Sequence, residues 1–245
     1  MKMFVDTANL AEIEEAITRG FVRGVTTNPG LFSKEPRVGF ETHIHNIVAL
    51  LKRYGLSIPL SVEVISRDKN EIIQQAREFT SAFGYKNIAV KIQVGWNELE
   101  AIYVLSQEGI NVNCTACMSV TQAVMAVAAG ARYVSLFWGR IRDGRSPSSE
   151  DLKHQRQHAI DNKLLDEADF DPAQVVSSTR MLLDASYPDA EIIVGSIRSV
   201  LDIRDAAAAG AHIITIPPKF FPGMVGHFKT DEVVNQFLSD FSSWL

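Results

Sequence analysis

Eight short runs rich in β-branched residues recur along the chain, at 3–6, 24–27, 60–65, 88–92, 111–115, 133–137, 192–195 and 213–216, and longer stretches with helical spacing separate them. No other feature restricts the fold as much. Alternation of strand and helix from end to end is the pattern of repeated βα units around a parallel sheet. Eight such units in 245 residues predict an α/β fold closed as a (β/α)8 TIM barrel, which takes about 250 residues. The alternation has no break, so residues 1–245 read as a single domain.

Helix boundaries are marked by capping residues: Asp6-Thr7 or Asn9 before 11–19, Asp68 before 70–83, Asn97 before 99–107, and Ser119 before 122–129. Gly20, Gly84, Gly109, Gly130 and Gly210 stand where these helices need a left-handed terminator. The sixth unit carries an insertion over 143–173, with a polar helix from about Ser149 to Asn162, and is expected to be an elaborated loop. Beyond the eighth strand, Pro217-Pro218 breaks the chain and Thr230-Asp231 opens a last helix. Its Val233, Val234, Phe237, Leu238, Phe241 and Trp244 follow helical spacing, so it has a large apolar face to bury.

Charge excludes one class of partner: 24 Lys and Arg against 29 Asp and Glu give −5, with no basic run, so nucleic acid is not expected. The most apolar segment, 123–138, is interrupted by Gly130 and Arg132, and the N-terminus meets Asp6 before any signal-length apolar stretch. No membrane span or export signal is expected, and a cytoplasmic location fits the two cysteines, Cys114 and Cys117.

In a barrel the chemistry sits at the carboxyl ends of the strands. Asp6, Asn28, Glu63, Lys91, Asn113, Thr115, Ser135, Ser196 and Arg198 all fall there. Lys91 is the sharpest case, because it interrupts the apolar run Ile88-Ala89-Val90-Lys91-Ile92 and must be paired or neutral. An ordinary lysine is only about 0.04% neutral at pH 7, and a Schiff-base lysine needs far more free amine. A structural ion pair with Glu63 or Asp6 is the alternative. Asp6 and Glu63 give two carboxylates for moving protons in a covalent cycle. Arg140, with Ser196 and Arg198, suits a phosphate group, whereas Arg142 and Arg145 read as surface salt bridges. Cys114-Thr115-Ala116-Cys117 has redox spacing but begins within a strand, where a thioredoxin-like site does not occur. His154 and His158 lack the glutamate of a zinc protease motif, and His43 and His45 point to different helix faces. No metal or nucleotide motif is present.

Several segments in order carry a resemblance: Phe4-Val5-Asp6-Thr7-Ala8-Asn9, Gly24-Val25-Thr26-Thr27-Asn28-Pro29, Ser61-Val62-Glu63-Val64, Val90-Lys91-Ile92, Asn113-Cys114-Thr115, Ser135-Leu136-Phe137-Trp138-Gly139-Arg140-Ile141 and Gly195-Ser196-Ile197-Arg198. Across almost its whole length the chain resembles the transaldolases, in the small subfamily that includes fructose-6-phosphate aldolase. The resemblance implies that Lys91 forms a Schiff base with a ketose and that Asp6 takes the proton of its C4 hydroxyl. Glu63 and Thr115 would hold the catalytic water. Asn28, Asn113 and Ser135 would bind the dihydroxyacetone unit, and Arg140, Ser196 and Arg198 the phosphate. It further implies sugar phosphates as substrates, no cofactor, a place in the pentose phosphate pathway, and a homo-oligomer (dimer, pentamer or decamer), with the helix ending in Trp244-Leu245 packed on a neighbour. Glu63 and Phe137 match transaldolases, where fructose-6-phosphate aldolases have Gln and Tyr. An aldolase outcome, or a specialised transaldolase for an unusual sugar phosphate, stays open, because Gln93-Val94-Gly95-Trp96-Asn97, Trp138 and the insertion depart from the family pattern.

Overall fold

The structure, a computed structural model, describes residues 1–244. Leu245, expected at the end of the last helix, lies outside the described residues. Eight strands, β1 (Lys2–Asp6), β2 (Val22–Thr26), β3 (Leu60–Glu63), β4 (Ile88–Gln93), β5 (Val112–Cys117), β6 (Tyr133–Phe137), β7 (Glu191–Gly195) and β8 (Ile213–Ile216), pair in sequence order, and β8 returns to β1. All pairs are parallel, so the expected barrel is closed.

The strands separate two cores by their period of two. Val5, Val25, Val62, Val90, Val134 and Val194 belong to the outer core, shared with the inner faces of the helices. Inside the barrel a second, smaller cluster of Phe4, Ala89, Tyr133, Ile193 and Ile213 forms a floor. Phe4 spreads over Gly24, where any Cβ would overlap its ring. Two residues further along the same five strands stand Asp6, Lys91, Ser135, Gly195 and Thr215, so one step along the inward face turns an apolar floor into a polar chamber.

The first helices are α1 (Leu10–Thr18), α2 (Pro29–Phe32), α3 (Phe40–Arg53), α4 (Lys69–Ala82), α5 (Trp96–Gln107) and α6 (Val120–Ala128). Asn9, Asp68 and Ser119 cap α1, α4 and α6 by accepting from backbone N–H groups two or three residues on, as their positions predict. The five terminator glycines all have positive φ. Asn97 caps nothing, because α5 already begins at Trp96 behind Gly95 and the Glu98 side chain folds back against that glycine.

The sixth unit holds α7 (Trp138–Asp143), α8 (Glu150–Asp161), a 3-10 turn at Glu167–Phe170, and α9 (Pro172–Ser186). The expected loop is therefore a structured excursion. The α8 helix buries none of its residues, but Arg156 lies 4.5 Å over the ring of buried Phe170 and donates to the Gly144 carbonyl at 3.0 Å. The chain ends with α10 (Val200–Ala208), α11 (Phe221–Val225) and α12 (Phe228–Phe241). His227 caps α12, which moves its start two residues ahead of the expected Thr230-Asp231. Its apolar stripe stays uncovered in the single chain, with Phe237 65% and Trp244 81% exposed. Among the described residues no helix is long and apolar enough to cross a membrane.

Candidate active site

A cavity of about 210 Å³ opens at the carboxyl ends of the strands. Eight of the eleven expected site residues line it: Asp6, Asn28, Lys91, Thr115, Ser135, Phe137, Arg140 and Ser196. Lys91 is at its base, buried, with Nζ 2.8 Å from Glu63 Oε2 and donating to the Thr27 carbonyl at 2.9 Å. Glu63 and Lys91 are register partners on β3 and β4, which brings the carboxylate beside the ammonium. The pairing answers the demand that a buried charge be matched.

Asp6 ends β1 and accepts from the Thr26 hydroxyl at 2.7 Å. Burial pushes its carboxyl above the ordinary value; the Thr26 hydrogen bond and the Lys91 charge pull the other way, and Glu63 adds to the rise. The group is thereby poised to hold a proton more readily than a solvated aspartate.

Asn113 is sealed behind the cavity wall. It accepts from Ser135 Oγ at 2.7 Å and donates to Ser61 Oγ at 3.2 Å, which fixes the orientation of Ser135. Asn28 caps α2 through Oδ1, bonded to the Leu31 N–H at 3.0 Å. Thr115 Oγ1 is buried and has no hydrogen-bond partner among the described residues. Leaving such a hydroxyl unpaired costs about 1–3 kcal/mol, so the site asks for a water or substrate oxygen there.

At the rim, Ser196 has φ +58, a conformation that L-residues adopt at a cost of about 1–2 kcal/mol. The turn gives its carbonyl to the Gly139 N–H at 3.1 Å. Only glycine fits at 139, since a Cβ would stand 2.7 Å from that same carbonyl oxygen and 2.6 Å from Arg198 Nε. Arg140 projects from α7 and is largely solvated, 3.8 Å from Asp143. Arg198 does not line the cavity; both of its terminal nitrogens donate to Asp143. Arg145 pairs with Asp171 at the surface as expected. Arg142 does not behave as a plain surface pair: at 2.7 Å it meets Asp202, a buried carboxylate that also accepts from the Arg198 backbone N–H.

Thr26, Gly195 and Thr215 also line the cavity and were missed by sequence reasoning. Their signal was the period of two, since each lies on the inward parity of its strand. Of the residues that depart from the family pattern, Gln93 donates to the Ser66 carbonyl at 2.8 Å, Trp96 is exposed, and Trp138 is buried in the outer core, away from the cavity. The cysteines face that outer core too. A bulge at the end of β5, with Ala116 at φ +60, reverses parity and sets the two free thiols 3.9 Å apart. Hydrogen bonding to Cys114 and burial push the Cys117 thiol well up, the reverse of an activated redox cysteine. His43 is buried against the Ala8 carbonyl, and the helix bearing His154 and His158 buries neither.

A parallel barrel with a buried lysine, two carboxylates and a ring of hydroxyls at the carboxyl ends of its strands holds the groups that covalent chemistry on a carbonyl compound would use. The sequence profile of the family described as Transaldolase/Fructose-6-phosphate aldolase matches residues 3–244. A protein of Caldicellulosiruptor saccharolyticus described as a probable transaldolase is 37% identical over 242 residues, covering 98% of this chain and 96% of its own. Two more with the same description, from Parvibaculum lavamentivorans and Streptococcus equi subsp. zooepidemicus, are 35% and 36% identical, over 98% and 100% of this chain and 96% and 99% of theirs. The chain belongs to the transaldolase/fructose-6-phosphate aldolase family.

Proposed function

We propose that the protein is a transaldolase that moves a dihydroxyacetone unit from a ketose phosphate, such as fructose 6-phosphate or sedoheptulose 7-phosphate, to an aldose phosphate through a Schiff base on Lys91. A proton of the Lys91 ammonium passes to the C2 carbonyl oxygen as Nζ attacks C2, a second leaves with that oxygen as water, and an iminium forms. Asp6 then takes the proton of the C4 hydroxyl as the C3–C4 bond breaks; its electron pair moves to the iminium, and the C4 fragment departs as an aldehyde. The enamine left on Lys91 attacks the acceptor aldehyde, Asp6 returns the proton to the new hydroxyl, and water held by Glu63 and Thr115 releases the product ketose.

The observation that carries this reading is the buried amine of Lys91, 2.8 Å from Glu63, in one cavity with Asp6 and with the Thr115 hydroxyl, which has no partner among the described residues. Ser135, oriented by Asn113, and Asn28 suit the hydroxyls of the dihydroxyacetone unit, and Arg140, Ser196 and Arg198 suit the phosphate. Glu63 and Phe137 favour transfer over release, as the transaldolase pattern has these two residues. We assign the reaction to the cytoplasm and the working form to a homo-oligomer that covers α12, in keeping with its uncovered stripe.

Borohydride reduction in the presence of fructose 6-phosphate, followed by intact mass and peptide mapping, tests the reading. The expected result is a dihydroxyacetone-sized adduct on Lys91; an adduct on another residue, or none with any of a panel of ketose phosphates, overturns it. Free dihydroxyacetone made without acceptor at the transfer rate would establish the aldolase outcome.

A further inference from the structure

Thr215 Oγ1, Thr26 Oγ1 and Asp6 Oδ1 stand in one unbroken line inside the barrel. Thr26 is 2.7 Å from Asp6 Oδ1, and the two threonine hydroxyls are in direct hydrogen-bond contact, with either able to donate. Both threonines are buried. They belong to β2 and β8, the two strands that flank β1, and they meet across the inward face of the strand that carries Asp6.

Each hydroxyl has one proton to give, and that fixes the direction of the line. When Asp6 is ionised, Thr26 donates to it, so the bond between the threonines must be donated by Thr215. When Asp6 holds a proton, its O–H donates to Thr26, and the Thr26 proton turns toward Thr215. A backbone N–H in the same place stabilises only the carboxylate, whereas a hydroxyl pair serves both forms. An acid–base group that changes state twice in each cycle needs such a partner.

We propose that Thr26 and Thr215 are positioning residues for Asp6, a two-hydroxyl relay that reverses direction each time Asp6 gains or returns the substrate proton. Each hydroxyl keeps its own proton and turns about its Cβ–Oγ bond, so nothing passes beyond Asp6. The inference rests on the acid–base role proposed above for Asp6. Lys91 and Glu63 face the same carboxylate, Lys34 acts on it from further out, and Arg140 lines the same cavity. The relay is the one neutral element among them, and it is charge-assisted only while Asp6 is ionised.

Thr215→Val keeps the shape and removes the hydroxyl. It should lower kcat about tenfold and move the acidic limb of the kcat–pH profile to higher pH, because the Thr26 hydroxyl that donates to the ionised carboxylate loses the Thr215 donor that polarises it. The borohydride-trapped adduct on Lys91 should stay at the native level, and Thr215→Ser should recover most of the rate and the native profile. A native rate and profile in Thr215→Val overturns the relay, and so does a Thr215→Ser as impaired as Thr215→Val, which would show that keeping the hydroxyl does not keep the function. Should Thr215→Val not fold, Thr26→Val and Thr26→Ser read the same quantities. Asp6→Asn separates the two levels: if it cleaves at the native rate the role of Asp6 itself fails, and if it is inert while Thr215→Val is native, only the relay fails.

Discussion

Arg198 places both terminal nitrogens on the carboxylate of Asp143, at 2.6 Å each. The guanidinium proposed for the substrate phosphate therefore already grips an anion that the chain itself supplies, and the grip holds the Asp143 carboxyl below its ordinary range. A phosphate that uses the same fork has to displace it.

Both partners are well solvated, where such a pair is worth up to about 1 kcal/mol, or a factor of about five in affinity. Asp143→Ala should thus lower KM for a phosphorylated ketose by up to about fivefold at low salt, leave kcat near native, and lose the advantage as salt screens the arginines. A higher KM in steady-state kinetics would mean that Asp143 holds Arg198 in its binding pose.

Glu63 touches the amine and is proposed to handle the water rather than the bond that breaks. Glu63→Gln should therefore still form the trapped adduct on Lys91 while steady-state transfer falls about 100-fold, the size of a lost acid–base contribution. Equal losses in trapping and in turnover would place Glu63 in imine formation instead.

Asp6 links activity to stability. Burial raises its carboxyl above the unfolded value, so between the two values the folded chain holds a proton that the unfolded chain has released. Stability from this group is present at low pH and is lost as pH rises through the folded value. Asp6→Asn removes the buried charge, and its thermal midpoint should exceed the native one at about pH 8, with the gap closing toward about pH 4. A lower midpoint at the higher pH would sink this account.

The stripe on α12 predicts self-association. Phe237 and Leu238 are both mostly exposed in the single chain, an arrangement that soluble monomers avoid. Light scattering should find the native protein as an oligomer and Phe237→Asp/Leu238→Asp as a smaller, folded species; a monomeric native protein would refute the assignment.

The barrel could be read from the chain because each strand announces itself locally, by β-branched residues bounded by a cap or a glycine. Lys91 was legible for the same reason, as a charge inside an apolar run. Thr26 and Thr215 were not, because a threonine in a strand is ordinary until the closed barrel turns its face inward. Arg198 was assigned to the phosphate from its place after β7, and its engagement with Asp143 depends on a contact 55 positions away in sequence. The start of α12 was misplaced because His227 gave no familiar capping signal. Cys114 and Cys117, three apart, belong on opposite faces of a regular strand; the bulge at Ala116 that unites them leaves no trace in composition.

The floor made by Phe4 over Gly24, with Tyr133, Ile193 and Ile213 beside it, leaves the chamber a vessel with one door. Traffic through one door has to take turns. In the proposed transfer, the aldehyde cut from the donor would leave a chamber of about 210 Å³ by the opening through which the acceptor arrives. If the proposed transfer takes place in this chamber, ping-pong kinetics, with the first product competing directly against the acceptor, are the expected pattern.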